Sequence, residues 1–225
     1  MIADDTVLPG PLAVGAQMVD LTLHGDLLFH LWATLWRVVA AFALAMGIGA
    51  ALGIVLGRQR RVDQWLDLWV VVFLNIPALV TIVLCYLWIG LTEVAAITAV
   101  ALNKIPMVTV ILREGARALN PALDDMAQVY RMPWRDRFRH VVLPQLAPFF
   151  ASAARTGVAL IWKIVLVVEF LGRSSGIGFK IHLNFQLFDV AAVLAYASAF
   201  VLVMLAVEFA VLKPLESRAN RWRQS

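Results

Sequence analysis

A short basic and aromatic segment, residues 130–144 (YRMPWRDRFRHVVLP), contains residue types suited to binding chemistry. Four arginines and one histidine alternate here with Tyr130, Trp134 and Phe138. Guanidinium groups pair with phosphates and carboxylates, and aromatic side chains anchor protein interfaces. Such a segment could bind nucleic acid, lie on a lipid surface or dock onto a partner protein. Nucleic-acid binding is disfavoured because no known reader motif surrounds these arginines.

Polar and aromatic residues inside long apolar stretches form a second candidate set. A charged side chain at the centre of a bilayer costs at least about 2.5 kcal/mol, so it usually faces a pathway or a partner. Lys104 and Lys163 lie near the centres of two such stretches and favour an anionic solute. Alternatively, either lysine could extend its amine to the interface or pair with Glu169 or Glu208. The candidates for a translocation pathway are Lys104, Lys163, Pro77, Trp162 and Glu169, although we expect Glu169 to be structural.

Catalytic and cofactor-binding patterns are missing from the sequence. The stretch 172–180 (GRSSGIGFK) lacks the Gly-Lys-Ser/Thr ending of a phosphate-binding loop. The single Cys85 excludes a disulfide framework, and the four histidines lack metal-ligand spacing. We therefore expect neither an enzyme nor a cofactor or metal site in this chain.

The elements that must position these residues are membrane helices. Of 225 residues, 62% are hydrophobic and only 15% are charged. A helix needs about 20 apolar residues to cross a bilayer. We predict an all-α integral membrane protein with five spans, at residues 37–57, 66–91, 93–112, 149–171 and 190–212. Residues 1–36 are predicted to form an extracytoplasmic tail with an amphipathic segment, and residues 213–225 a basic tail.

Charge distribution predicts the orientation of these spans. Most of the 19 Lys and Arg residues lie in three segments: 58–61, 113–139 and 213–223. With five spans, all three segments fall on one side, which the positive-inside rule assigns to the cytoplasm. The N-terminus, with acidic residues such as Asp4 and Asp5, is then outside.

Local signals predict how the spans and the long cytoplasmic connection, residues 113–148, are built. Ala45, Gly49, Gly53 and Gly57 form a ladder of small residues that permits close helix packing. Pro77 and Pro106 are expected to kink their helices. Asn120 and Pro121 predict a helix start, with the helix running to about Arg131. A second short helix should open at Pro133, run to about Val142 and stop at Pro144.

This elbow resembles the signature loop of the permeases of binding-protein-dependent ABC importers. That loop reads E-A-A, three residues, G, nine residues and I-x-L-P; here Asp125, Met126 and Ala127 are followed by Arg131 and then by residues 141–144 (VVLP) at the same spacing. Arg131 replaces a glycine whose left-handed backbone an arginine adopts only at some cost. The stretches 7–21, 30–58, 74–93 and 155–178 are similar to permeases for aliphatic sulfonates, taurine and nitrate. Members usually have one more N-terminal helix; a shortened start or a five-span variant would both explain the difference.

The resemblance implies the type I importer fold, two permease copies, two cytoplasmic ATPase subunits that bind ATP and Mg, and an extracytoplasmic solute-binding protein. It implies a multi-pass protein of the bacterial inner membrane. The residues expected to dock the ATPase are Asp125, Ala127, Tyr130, Arg131, Met132, Pro133, Trp134, Arg135, Phe138, Leu143 and Pro144. We predict that the transported solute is a small anion that passes into the cytoplasm.

Two alternatives remain open at this point. Trp36, Trp88, Trp162 and Tyr86 could form an aromatic cage for a quaternary ammonium solute, although aromatic residues are also common at membrane interfaces. A secondary carrier would work without an ATPase, but such carriers often show internal repeats, and none is visible here.

Overall fold

The computed structural model describes residues 9–214, and every regular element in that range is helical. This confirms the predicted all-α fold. The α-helices are α1 (Pro11–Leu23), α2 (Leu27–Arg58), α3 (Arg60–Asn75), α4 (Ala78–Ile89), α5 (Glu93–Arg117), α6 (Pro121–Val129), α7 (Trp134–Arg137), α8 (Leu143–Gly172), α9 (Ile177–Gln186) and α10 (Val190–Val207). Asp4, Asp5 and residues 215–225 of the basic tail lie outside the described residues.

Three single helices in this range are long and apolar enough to cross a membrane: α2, α5, and α10 with its continuation to Ala210. The pair α3 and α4 qualifies as a fourth if it is one broken span. The 30-residue α8 is not in this set and carries Arg155, Lys163 and Glu169. The crossing of α8 therefore stays a prediction.

The helices α2 and α5 pack against each other through the predicted ladder of small residues. An added Cβ at Gly53 would lie 2.6 Å from the Thr109 carbonyl oxygen, and one at Gly57 would lie 2.5 Å from the Ala116 Cβ. Any side chain larger than hydrogen would push the two backbones apart at these positions. The ladder thus brings α5, and with it Lys104, close to the centre of the bundle.

The two internal prolines have different effects. Ile76 and Pro77 separate α3 from α4, and the two helix axes differ by 96°. The effect at Pro77 is therefore a break rather than a kink. Pro106 lies inside α5, which continues from Glu93 to Arg117. The single missing donor at Pro106 does not end the helix.

The first long helix begins earlier than the predicted span at residue 37. α2 starts at Leu27 and runs without interruption for 32 residues. Its first turns contain His30, Thr34 and Arg37, all of them buried. The predicted boundary puts His30 and Thr34 in the N-terminal tail and Arg37 at the end of the span, but other parts of the chain provide partners for all three inside the bundle.

The elbow contains the two predicted helices, but its end differs from the expectation. α6 begins at Pro121 after the Asn120 cap, and the second helix consists of α7 and a π-helical segment, Phe138–Val142. The prediction that Pro144 stops this helix was wrong, because the chain continues directly into α8. Pro144 lies in the first turn of α8, and the widened π-helical turn immediately precedes that turn.

Candidate functional site: the elbow and the charged bundle

A tight helix-ending turn sets the shape of the elbow. Arg131 has φ = 49°, in the left-handed region. Its N–H donates to the Gln128 carbonyl oxygen, and the Met132 N–H donates to the Ala127 carbonyl oxygen, both at 2.9 Å. This pair of bonds is the Schellman arrangement, which normally has glycine at the left-handed position. Arg131 therefore takes the left-handed backbone of the glycine that it replaces.

Two contacts fix the elbow to the bundle. Asp124 on α6 accepts a hydrogen bond from Arg58 Nη2, at the end of α2, at 2.5 Å, and lies 2.8 Å from Arg137 Nη2. Arg137, with Arg58 beside it, holds the pKa of Asp124 below its usual value. On the other side, the Asn120 N–H donates to Gln145 Oε1 of α8 at 2.9 Å. Sequence reasoning missed both contacts, since neither partner is near in sequence.

The elbow has an exposed surface rich in apolar and aromatic side chains. Tyr130 and Trp134 are 76% and 74% exposed, and Val129 is 80% exposed. The Arg135 guanidinium lies 5.4 Å from the Trp134 ring centroid. Of the other residues predicted to dock a partner, Asp125, Arg131, Pro133, Phe138, Leu143 and Pro144 are exposed, Met132 is half-buried and Ala127 is buried. An exposed aromatic pair surrounded by arginines is typical of a protein-binding surface.

The structure places the candidate pathway residues in different environments. Lys104 is buried, with its amine against the Met107 sulfur and 3.3 Å from the Thr156 carbonyl oxygen. Lys163 is exposed on α8, and Pro77 is exposed at the break before α4. Trp162 is buried, with its ring edge-on to Phe200 at 5.4 Å. In this chain, therefore, Lys163 and Pro77 lie on open surface and Lys104 and Trp162 do not.

Glu169 lies in a buried ion network at the end of the bundle opposite the elbow. It is fully buried, and Arg37 Nη1 donates to its Oε1 at 2.6 Å. Thr34 and the Gly178 N–H donate to its other oxygen, both at 2.9 Å. This arrangement supports the expected structural role of Glu169.

Arg37 makes five hydrogen bonds in the same network. Besides Glu169, it donates to both carboxylate oxygens of Glu93 and to the carbonyl and hydroxyl oxygens of Ser175. Arg173 donates to Glu93 as well, at 2.6 Å. The predicted span 37–57 has Arg37 at its end. In the structure Arg37 lies inside the bundle and connects α2 to α5, to α8 and to the loop before α9.

A second polar cluster lies beside the first. Asp26, immediately before α2, is 2.5 Å from Lys180 Nζ and accepts a hydrogen bond from Tyr196 at 2.7 Å. Burial raises the pKa of Asp26, but the bonds from Lys180 and Tyr196 outweigh it and bring that pKa to about 2. His30 Nδ1 accepts from the Gly176 N–H, so its proton lies on Nε2, 3.2 Å from Asp26. This end of the bundle is thus cross-linked through α2, α9 and α10.

The proposed aromatic cage is not formed within residues 9–214. Trp36 and Trp88 are exposed on α2 and α4, whereas Trp162 is buried against Phe200. The Tyr86 hydroxyl donates to the Val168 carbonyl oxygen at 2.8 Å. Because a cage requires the rings to surround one site, this geometry does not favour a quaternary ammonium solute.

Comparison with protein families identifies the family of this chain. Residues 26–212 match the family described as the binding-protein-dependent transport system inner membrane component. The chain belongs to this family. It is a multi-pass inner-membrane permease subunit of an ATP-driven importer that is fed by a binding protein. As the family implies, its partners are a solute-binding protein and ATPase subunits.

Individual relatives of this permease are similar along most of its length. It is 29% identical over 224 residues to the putative aliphatic sulfonates transport permease protein SsuC of Bacillus subtilis, covering 100% of this chain and 81% of SsuC. It is 26% identical to the nitrate import permease protein NrtB of Synechocystis, covering 77% of this chain and 66% of NrtB. Among solved structures, an inward-facing MetNI methionine ABC transporter chain aligns with a TM-score of 0.72 at 15% identity, covering 86% of this chain and 98% of that one. This last likeness concerns the fold alone.

Proposed function

We propose that this permease passes a small solute with an anionic group, such as a sulfonate, taurine or nitrate, from its binding protein into the cytoplasm. The names of two relatives, an aliphatic sulfonates permease and a nitrate permease, support this class of solute. The exposed Lys163 on α8 gives the chain a positive charge within a predicted span. A solute carrying one negative charge matches that environment.

The elbow is proposed to be the surface that docks the ATPase subunit. The observation that carries this proposal is the exposure of Tyr130 and Trp134 on a turn fixed by the Arg131 backbone. Interface energy concentrates in aromatic and arginine side chains, and Trp134 and Arg135 supply both types here. The contacts of Asp124 and Asn120 with α2 and α8 would transmit movement of the elbow to the bundle.

The proposed assembly contains two copies of this permease and two ATPase subunits, with ATP and Mg bound by the ATPase. We place the N-terminus outside and the C-terminus in the cytoplasm. The basic segments support this orientation, because Lys and Arg accumulate on the cytoplasmic side. On this orientation the elbow faces the cytoplasm, where ATP is available.

The test is transport by the purified complex, with nitrate and methanesulfonate as anionic probes, taurine as a zwitterion that carries a sulfonate, and choline as the cationic probe. Native mass spectrometry on the same preparation gives its subunit composition. We expect two permease copies with two ATPase chains, and ATP-dependent uptake of at least one anion but not of choline. Uptake of choline alone would overturn the anion assignment. Uptake without an ATPase would overturn the importer assignment itself.

A further inference from the structure

One face of α8 combines polar character with exposure. Ser152, Ala159 and Lys163 are exposed, and Thr156 between them is half-buried. These residues are three or four positions apart, so they lie in one row along the helix. The row extends about 16 Å from Ser152 to Lys163, given a rise of about 1.5 Å per residue.

Lys163 gives this row its positive charge. The Arg155 side chain, at the edge of the row, is 51% exposed, but its Nε lies 3.9 Å from Glu208 Oε1, so that carboxylate offsets its charge. Lys163, at the outer end of the row, is exposed. Cationic side chains on the open face of a membrane helix are unfavourable against lipid, so such a face is normally covered by water or protein.

Lys104 approaches the same row from inside the bundle. Its amine lies 3.3 Å from the carbonyl oxygen of Thr156, the middle member of the row. Gly157 makes room for this side chain, since an added Cβ there would be 3.2 Å from Lys104 Cε. A second ammonium group therefore lies directly behind the polar face of α8.

We propose that the row Ser152, Thr156, Ala159 and Lys163 lines a water-filled passage that selects anions. Lys163 contacts the passing anion, and Lys104 acts from behind as a positioning residue that holds the Thr156 backbone. This inference rests on the proposed function, and it names the helix face and the residue that give the permease its charge preference. It also separates the roles of two lysines that sequence alone treats alike.

Cysteine accessibility in the intact complex tests the passage without knowledge of the natural solute. The background variant is Cys85→Ser, which removes the single native thiol. Ala159→Cys then introduces a thiol in the row, and Leu202→Cys, on the exposed apolar face of α10, is the matched control. The probes are two methanethiosulfonates, one carrying a sulfonate and one a trimethylammonium group.

We expect Ala159→Cys to react about tenfold faster with the sulfonate probe than with the ammonium probe, because a cationic cleft concentrates anions. Lys163→Met should reduce this ratio to near one, whereas Arg61→Met, which removes an exposed cation outside the spans, should leave it unchanged. Leu202→Cys should react with neither probe. Lys104→Met should slow both probes at Ala159→Cys together, since it disturbs the position of the helix and not the exposed charge.

Two results would overturn the proposal. If Ala159→Cys reacts with neither probe, its face is covered by lipid or by protein. If it reacts with both probes equally, the passage is aqueous but does not select by charge. Neither result affects ATPase docking or ATP-dependent uptake in the purified complex, so failure of this inference is distinguishable from failure of the proposed function.

Discussion

The two ends of this permease use similar residue types in opposite environments. At the end that contains the Glu169 network, Arg37 and Glu169 are buried and satisfied within the chain. At the elbow end, Trp134 and Tyr130 are exposed, and the ion pairs around Asp124 lie at the surface. The buried network fixes helices to one another. The elbow, by contrast, leaves its aromatic side chains exposed. The difference separates residues that hold the fold from residues available to a partner.

Removing Arg37 should produce the largest effect and would show most clearly that the ion network around Glu169 holds the fold. Arg37→Met leaves Glu169 charged and buried with its strongest partner removed, so we expect a loss of about 3–5 kcal/mol in the free energy of unfolding. Denaturant unfolding of the purified permease measures it. The double variant Arg37→Met with Glu169→Met should lose less than the sum of the two single losses. A loss below about 1 kcal/mol for Arg37→Met would contradict the role given to this network.

The polar cluster around Asp26 makes a smaller, pH-dependent contribution to the free energy of unfolding. The folded pKa of Asp26, about 2, lies below its ordinary value of 3.8. The stabilisation is therefore fully present above the ordinary value and is lost as pH falls through the folded pKa. Because the side chain is 46% exposed, we expect only about 1 kcal/mol. Unfolding measured from about pH 5 down to about pH 2 should show this loss in the natural chain, and Asp26→Asn should remove that part of the pH dependence. Equal pH profiles for the two chains would exclude the contribution.

The smallest effect is expected at Arg131, and it concerns the elbow rather than the buried network. Arg131→Gly relieves a left-handed arginine, which costs about 1–2 kcal/mol, but glycine gains freedom in the unfolded chain worth about 0.5–1 kcal/mol. The net gain should be about 0.5 kcal/mol, seen as slower hydrogen exchange of the α6 amides. Arg131→Ala keeps the strained backbone and is the control. Faster exchange in the glycine variant would show that the arginine side chain itself holds the turn.

Local patterns predicted several elements of the structure. The Asn120 cap and the close packing at Gly53 and Gly57 are confirmed. The family pattern identified residue 131 as the position of a left-handed glycine, and the φ of Arg131 is 49°. Each depends on residues close together in sequence or on a small side chain required by packing. Such features follow from backbone sterics and local hydrogen bonds, which are set by residue types that can be read from the sequence.

Features that depend on distant partners were not predictable. The burial of Arg37 requires Glu169, 132 residues later, and no sequence pattern near Arg37 predicts that pair. Phe188, with φ = 57°, ends α9 in the same type of turn as Arg131, yet its sequence has no glycine-replacement pattern to reveal it. Pro144 is compatible with both a helix end and a first helical turn, and only the π-helical residues before it decide between them.

The most direct test of the central claim is the affinity of the ATPase subunit for the Trp134→Ala permease, measured beside its unfolding free energy. Trp65→Ala, at an 82% exposed tryptophan on α3, is the matched control. We predict that Trp134→Ala weakens ATPase binding at least about tenfold, with an unfolding free energy within about 0.5 kcal/mol of the natural chain, and that Trp65→Ala changes neither. Unchanged ATPase affinity in Trp134→Ala would contradict the assignment of the elbow as the docking surface.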